Sequence, residues 1–322
     1  MSAVPVLSVR DLAVEFRTRS GIVRALEQVS LEVARGEMVG IVGESGSGKS
    51  VTAYTVMGIL DPAGRVTAGS ASFGGLDLLA ASESALREIR GREMSMIFQN
   101  PRVALNPIRR VGDQIADVLL QHGGVTHAQA PKRAIEMLAR VKIPDPERRA
   151  KAYPFELSGG MCQRIMIAIA LSCAPRLLIA DEPTTGLDVT TQAAIMDLIA
   201  ELGREQGMAT LLITHDLGMA AEYCDRIVVM HAGHVVEAAA TTDLFAHPRH
   251  PYTARLIAAT PRPTATLSGL AAIPGNLPDL RQQVIPPCRY SLRCEYRGPR
   301  CDQALPRVPG EGGGMVACWN PL

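Results

Sequence analysis

Apolar residues run along this chain in two rhythms. Residues 38–42, 94–98, 177–180 and 210–213 are short, nearly uninterrupted apolar or β-branched runs, the pattern of strands buried on both faces of a sheet. Residues 7–17 alternate more loosely and 24–33 follow suit, predicting two strands that end at the turn Arg35-Gly36-Glu37, with further short strands up to Asp77. Residues 226–230 and 234–237, joined across Ala232-Gly233, predict a hairpin. Between these segments the period lengthens to that of a helix. Helices are expected from Val51 to about Leu60, through much of 103–153, over 157–173 and over 189–202. Val111, Ile115, Val118 and Leu119 share one helical face. Ile135, Leu138 and Val141 continue an apolar stripe in a segment that Thr126 can cap and whose first turn suits Pro131. Strands interleaved with helices make an α/β chain, with a small helical subdomain inserted at about 103–173.

Candidate chemistry sits at the ends of the apolar runs. The run 38–42 leads into Gly-Glu-Ser-Gly-Ser-Gly-Lys-Ser, Gly43 to Ser50, at a strand-to-helix turn. Gly43, Gly46 and Gly48 let the backbone curl with its N–H groups inward around phosphate oxygens, and Ser45, Ser47 and Val51 belong to the same cradle. Lys49 is placed to reach the β- and γ-phosphates of a nucleotide, and Ser50 to ligate Mg²⁺. The bland alternative is a Gly/Ser-rich linker. Phe16 either stacks on an adenine ring or is an ordinary strand residue. Gln99 follows the strand at 94–98, where open sheets place ligand contacts, although a solvated loop glutamine is the plainer reading of such a residue alone.

Leu157-Ser158-Gly159-Gly160 opens a helix whose N-cap is Ser158, and its bare N–H groups offer a second anion site; an ordinary cap with a flexible entry is the alternative. Asp181 and Glu182 end the run 177–180. Adjacent carboxylates at the tip of a buried strand are costly unless they hold a cation or act on water. The expectation is Asp181 in the Mg²⁺ shell and Glu182 orienting or deprotonating the attacking water, against a strand-end pair that merely caps a turn. Asp188, in the turn before the next helix, is a further candidate nucleotide-binding residue. His215, at the tip of the run 210–213, is a candidate γ-phosphate contact on its setting alone. His122, His127, His231 and His234 carry no functional expectation.

Taken in order, the Gly43 loop, the Gln99 turn, Leu157 to Gly160, the Asp181-Glu182 strand end, the Asp188 turn and His215 resemble the nucleotide-binding subunit of an ABC transporter. The resemblance runs from Leu7 to about Glu237. It implies a phosphate-loop, RecA-like ATPase core with an antiparallel β subdomain and an α-helical insertion. It also implies that Gln99 is the Q-loop residue that contacts Mg²⁺ and links ATP to the membrane subunits, and that His215 is the switch histidine. Ser158, Gly159 and Gly160 would touch the γ-phosphate held by a second nucleotide-binding subunit, identical or paralogous. Cys162 stands where relatives often carry another small residue. The His247-Pro248-Arg249-His250-Pro251-Tyr252-Thr253 segment, with Ile97-Phe98-Gln99-Asn100-Pro101 and Leu105-Asn106-Pro107, is similar to the dipeptide and oligopeptide importers, a group that includes nickel and glutathione importers. That implies two transmembrane permease subunits, an extracytoplasmic solute-binding protein, no nucleic acid, and a peripheral position on the cytoplasmic face of the inner membrane.

Composition narrows the alternatives. The length of 322 residues suggests about two domains, expected at 1–245 and 246–322. A net charge of +1, from 33 basic and 32 acidic residues, gives no bulk attraction for nucleic acid. A soluble ABC ATPase of DNA repair or chromosome organisation would bring long coiled coils, zinc modules or a basic surface, and none is found. The first ten residues lack a secretory pattern, and the apolar stretch 165–174 falls short of the about 20 residues that span a bilayer. A cytosolic chain is expected, docking on membrane proteins. Four of its seven cysteines, Cys288, Cys294, Cys301 and Cys318, fall beyond a proline-rich connector at 258–287. Disulfides are disfavoured in that compartment. The gaps of five, six and sixteen residues suit zinc poorly. The resemblance to peptide importers implies a [4Fe–4S] cluster here, with Zn²⁺, free thiols or a redox-sensing regulatory ATPase as alternatives.

Overall fold

A computed structural model describes residues 4–260, 272–281, 284–310 and 314–322. The chain divides into two compact units. One contains residues 80–211 with 34–37 and 4–6. The other contains 7–33, 38–79 and the described residues from 212 onward.

In the second of these, the loosely alternating segments form a four-stranded antiparallel sheet. Strand Leu7–Thr18 lies between Gly21–Val33 and Gly64–Phe73, and the two-residue strand Leu76–Asp77 closes the edge. The alternation of Leu7–Thr18 is loose because the strand bulges. Register shifts between Val9 and Leu12, where Asp11 takes φ 48°, reset the phase so that both apolar residues face inward. The fully buried Met38–Val42 runs parallel to Arg226–His231. Arg226–His231 turns antiparallel into His234–Ala240, which carries the short strands Met315–Val316 and Val308–Pro309 beyond it. Helix Lys49–Met57 follows the first of these strands.

In the other unit, Met94–Ile97 pairs in parallel with Leu177–Asp181, Ile97 opposite Ala180. Around this pair stand the helices Val111–His122, Ala130–Arg140, Gly159–Leu171 and Val189–Gln206. Ile195, Leu198, Ile199 and Leu202 are buried, as are Val111, Ile115 and Leu119. Strand Ala209–Ile213 begins in this unit and ends in the other. The expected mixed α/β architecture, antiparallel subsheet and helical insertion are all present.

Several boundaries differ from expectation. The helix after the phosphate loop stops at Met57 rather than about Leu60, because Gly58 adopts φ 65° and closes it with a left-handed cap. Helix Val189–Gln206 outruns its expected end by a turn, stopping only at Gly207, φ 59°. Thr126 does not cap the second insertion helix: Gln129 is its N-cap, and Thr126 instead donates its hydroxyl to Gln129 Oε1 at 3.0 Å. The connector 258–287 is described only in part, residues 261–271 and 282–283 lying outside the described residues. Its described portion keeps to the second unit, with Arg24 N donating to Leu280 O at 3.2 Å. Among the described residues no helix is long and apolar enough to cross a membrane.

Candidate functional site

The phosphate loop has the curl that its glycines predict. Gly43, Gly46 and Gly48 take φ of 151°, 80° and 103°, in the region L side chains avoid. Two of them also lack room. A Cβ on Gly43 would collide with Met230 O, and one on Gly48 would stand 2.6 Å from Leu26 Cδ2. Lys49 Nζ donates to Gly43 O at 2.8 Å and Glu44 O at 3.0 Å, so its ammonium is folded over the loop. Ser47 N donates to Glu44 O, and Gly233 N to Ser47 O at 2.8 Å, tying the loop to the hairpin turn. Ser47 is fully buried, and its Oγ has no hydrogen-bond partner among the described residues. A backbone curl of this kind with a lysine ammonium folded over it fits a ligand rich in acceptor oxygens. Ser45 and Gly46 are exposed at the rim, Ser50 and Val51 half-buried in the first helical turn, and His215 is exposed in this same unit. Phe16 is half-buried opposite Val23 and Gly64 in the antiparallel sheet.

The other unit holds Gln99, Asp181, Glu182, Asp188 and Ser158 to Gly160. Parallel pairing of the two strands puts their C-terminal ends side by side. There Gln99 Nε2 donates to Glu182 Oε2 at 2.8 Å, and Thr185 Oγ1 to the same oxygen at 2.9 Å. Glu182 itself has φ 45°, a left-handed conformation that costs a non-glycine residue of order 1–3 kcal/mol and that functional sites retain. Asp181 is 1% exposed. Ser158 caps helix Gly159–Leu171 by accepting from Met161 N at 3.3 Å, its predicted role. Cys162 behind it is buried and donates to Pro154 O, so its departure from the common residue is absorbed in packing. Asp188 caps the next helix, and the Thr191 hydroxyl and N–H hold its carboxyl below the usual range.

In the extension the four cysteines converge. Cys288, Cys294, Cys301 and Cys318 line one small enclosed cavity together with His250, Tyr290 and Trp319. Each sulfur meets a backbone N–H: Tyr290 to Cys288, Tyr296 to Cys294, Gly298 to Cys301 and Asn320 to Cys318. Burial pushes Cys288 up to about 11 and raises Cys294 and Cys318. As they stand, no three His, Cys, Asp or Glu side chains among the described residues are set to hold a metal ion.

Sequence reasoning passed over several buried polar residues of this unit. Glu237 accepts from Arg249 N and His250 N at 2.8 and 2.9 Å. His250 caps helix Pro251–Ala258 and has its pKa pushed down to about 3 by burial. The Pro following His250 was the one local signal of that cap. Tyr252 was marked only as part of the His247–Thr253 segment, with no role attached, and nothing local marks Arg289 or Arg293, whose partners lie far off in sequence.

A family model described as ABC transporter matches residues 26–185, and one described as oligopeptide/dipeptide transporter, C-terminal region, matches 236–301. The chain is 46% identical to the oligopeptide transport ATP-binding protein OppD of Salmonella typhimurium, over 98% of this chain and 94% of that one. It is 45% identical to the dipeptide transport ATP-binding protein DppD of Haemophilus influenzae, over 98% and 96%. Among solved structures it is similar to the dimeric ATP-binding cassette MJ0796 in a post-hydrolysis state bound to ADP and Pi. There the TM-score is 0.66 and the identity 29%, covering 73% of this chain and 98% of that one.

Proposed function

This chain belongs to the ATP-binding subunits of peptide ABC transporters, and from that membership we propose how its residues couple ATP hydrolysis to solute import. The protein is an ATPase that energises uptake of dipeptides or oligopeptides. It works as a dimer of nucleotide-binding subunits beneath transmembrane permease subunits, at the cytoplasmic face of the inner membrane. A solute-binding protein delivers the cargo. In this reading residues 1–245 form the nucleotide-binding domain and 246–322 the peptide-importer extension.

Each role follows from local chemistry. The curl from Gly43 to Ser50 receives the phosphates on its backbone N–H groups, and Lys49 neutralises their charge. Phe16 is assigned to the adenine. Ser50, Asp181 and Gln99 would hold Mg²⁺, which supplies charge neutralisation on the phosphate oxygens. Glu182 is the general base for the attacking water, with Gln99 and Thr185 fixing its carboxylate. His215 orients the γ-phosphate. The helix start at Ser158, Gly159 and Gly160 would serve the partner's nucleotide, its N–H groups and dipole supplying the positive end an arginine finger gives elsewhere. Asp188, ordered by Thr191, is assigned to the nucleotide site.

We assign the four tail thiols to a [4Fe–4S] cluster, with Zn²⁺ as the alternative. Support comes from their convergence on one cavity and from the N–H donor at every sulfur, since such donors stabilise thiolate ligands. The cluster would cross-link the irregular extension.

The observation that carries the functional reading is the backbone curl at Gly43, Gly46 and Gly48, with no room for a Cβ at Gly43 or Gly48 and with the Lys49 ammonium folded over it. Reconstituted with its membrane and solute-binding subunits, the wild type should drive ATP-dependent dipeptide uptake, and Lys49→Ala should abolish both uptake and hydrolysis. Uptake that persists in Lys49→Ala would overturn it.

A further inference from the structure

The C-terminal extension reaches the phosphate loop itself. Arg293, in the short turn Ser291–Arg293 just ahead of Cys294, forms a two-pronged ion pair with Glu44, the second residue of the loop. Nη1 meets Oε2 at 2.8 Å and Nη2 meets Oε1 at 2.9 Å. The guanidinium is nearly sealed off, with a side-chain exposure of 4% against 28% for Glu44. Its Nε donates to Pro274 O at 2.7 Å, and Nη1 also lies 3.1 Å from His231 Nε2. His231 is completely buried and burial holds its pKa down to about 3, so it is a neutral acceptor for Arg293, and its 3.9 Å approach to Glu44 is no ion pair.

A second contact grips the backbone of the same residue. Tyr252, wholly buried in helix Pro251–Ala258, accepts from Glu44 N at 3.0 Å through its phenol oxygen. The Tyr252 ring packs edge-on against His231 and Tyr290, and the Arg293 guanidinium lies over the Tyr290 ring, 5.7 Å from its centroid. A third grip is indirect. Arg289 donates to Ala232 O in the hairpin turn, and the next residue, Gly233, donates its N–H to Ser47 O.

Glu44 is therefore the point where the loop is anchored. Its carbonyl takes both Lys49 Nζ and Ser47 N, its N–H is held by Tyr252, and its carboxylate by Arg293. A fork-to-fork arginine–carboxylate pair fixes direction as well as distance, which a lysine point charge does not. Nothing in ATP chemistry asks for a carboxylate beside the phosphates. Glu44 puts negative charge next to an anion site, and Arg293 neutralises it while holding it turned aside. The loop's curl, which must exist before the phosphates arrive, is thus partly built by residues some two hundred and more positions away.

We propose that the extension is a working part of the nucleotide site, with Arg293 and Tyr252 as positioning residues that set the phosphate loop for ATP. The inference deepens the ATPase reading and rests on it. Removal of Arg293 does two things at once: the loop loses its anchor, and an uncompensated Glu44 carboxylate faces the incoming phosphates. Both weaken ATP binding before they touch the chemical step.

The test measures ATP binding to the full-length protein by calorimetry with Mg²⁺ present, and steady-state hydrolysis in the assembled transporter. Arg293→Ala should raise the Kd for ATP about tenfold, the scale of losing one charged hydrogen-bonded contact. Its rise in KM should exceed its fall in kcat. Arg293→Lys should recover only part of the affinity, and Tyr252→Phe, which removes a single oxygen, should weaken binding about threefold. Arg293→Ala combined with Glu44→Ala should bind ATP more tightly than Arg293→Ala alone, because the unbalanced carboxylate is gone; a purely structural role in holding the tail predicts no such recovery. Should Arg293→Ala fail to fold, Arg293→Lys and Tyr252→Phe decide. Wild-type affinity in those two, or in folded Arg293→Ala, overturns the proposal. A wild type that binds no ATP refutes the ATPase reading instead.

Discussion

Replacing Glu182 by glutamine separates chemistry from architecture. Two hydrogen bonds to its side chain, from Gln99 Nε2 at 2.8 Å and from Thr185 Oγ1 at 2.9 Å, end on Oε2. A carboxamide oxygen accepts them equally well in geometry, so the backbone at φ 45° keeps its side-chain supports. What weakens is their charge assistance. For a half-exposed group that is about 1 kcal/mol at most, too little to unfold the strand end. What disappears is basicity. General-base catalysis contributes about 10²–10⁴-fold, or roughly 3–5 kcal/mol of barrier at 1.36 kcal/mol per decade. The expected outcome for Glu182→Gln is a kcat for ATP lowered by at least about a hundredfold, a Kd for ATP within about threefold, and a thermal midpoint within a few degrees. Steady-state phosphate release, calorimetric ATP binding and thermal unfolding on one preparation read all three. A kcat that falls less than tenfold in a folded, ATP-binding variant removes Glu182 from the role of base.

Two further outcomes follow from the second unit. His231 stays neutral when folded, because burial and then the Arg293 charge depress its pKa from 6.5 to about 3, whereas the unfolded chain protonates it near 6.5. The unfolded state therefore binds the extra proton between those values. The His231 contribution is complete above pH 6.5 and is lost as pH falls, by up to about 2 kcal/mol at pH 5. Denaturant unfolding at pH 7.5 and pH 5 should show this slope reduced in His231→Gln, and an unchanged slope would exclude His231 as its source. For the tail, protein purified without oxygen should carry iron and acid-labile sulfide, which vanish when Cys288, Cys294, Cys301 and Cys318 are all replaced by serine. Stoichiometric zinc instead would establish the alternative ligand, and neither metal would eliminate the cluster.

The amino-acid pattern alone settled what depends on a few neighbouring residues. Gly43, Gly46 and Gly48 permit the left-handed curl that other residues resist, and Ser158 and Asp188 cap the helices that follow them because a short oxygen beside free N–H groups does so locally. The uninterrupted apolar runs became fully buried strands because they offer no polar face to water, although the run 94–98 is buried only to Ile97 and Phe98 is exposed. Even the mistakes were local competitions: Gln129 displaced Thr126 as a cap by drawing its hydroxyl into a side-chain hydrogen bond.

Folding alone decided the left-handed backbone at Glu182, the gathering of four thiols with uneven spacing, and the Arg293–Glu44 pair, whose members stand 249 positions apart. No period or cap encodes a partner at that distance. Loop-closure entropy varies only slowly with separation, so distant partners are selected by which buried surfaces fit and which charges would otherwise stand uncompensated, and those terms exist only once the chain has folded.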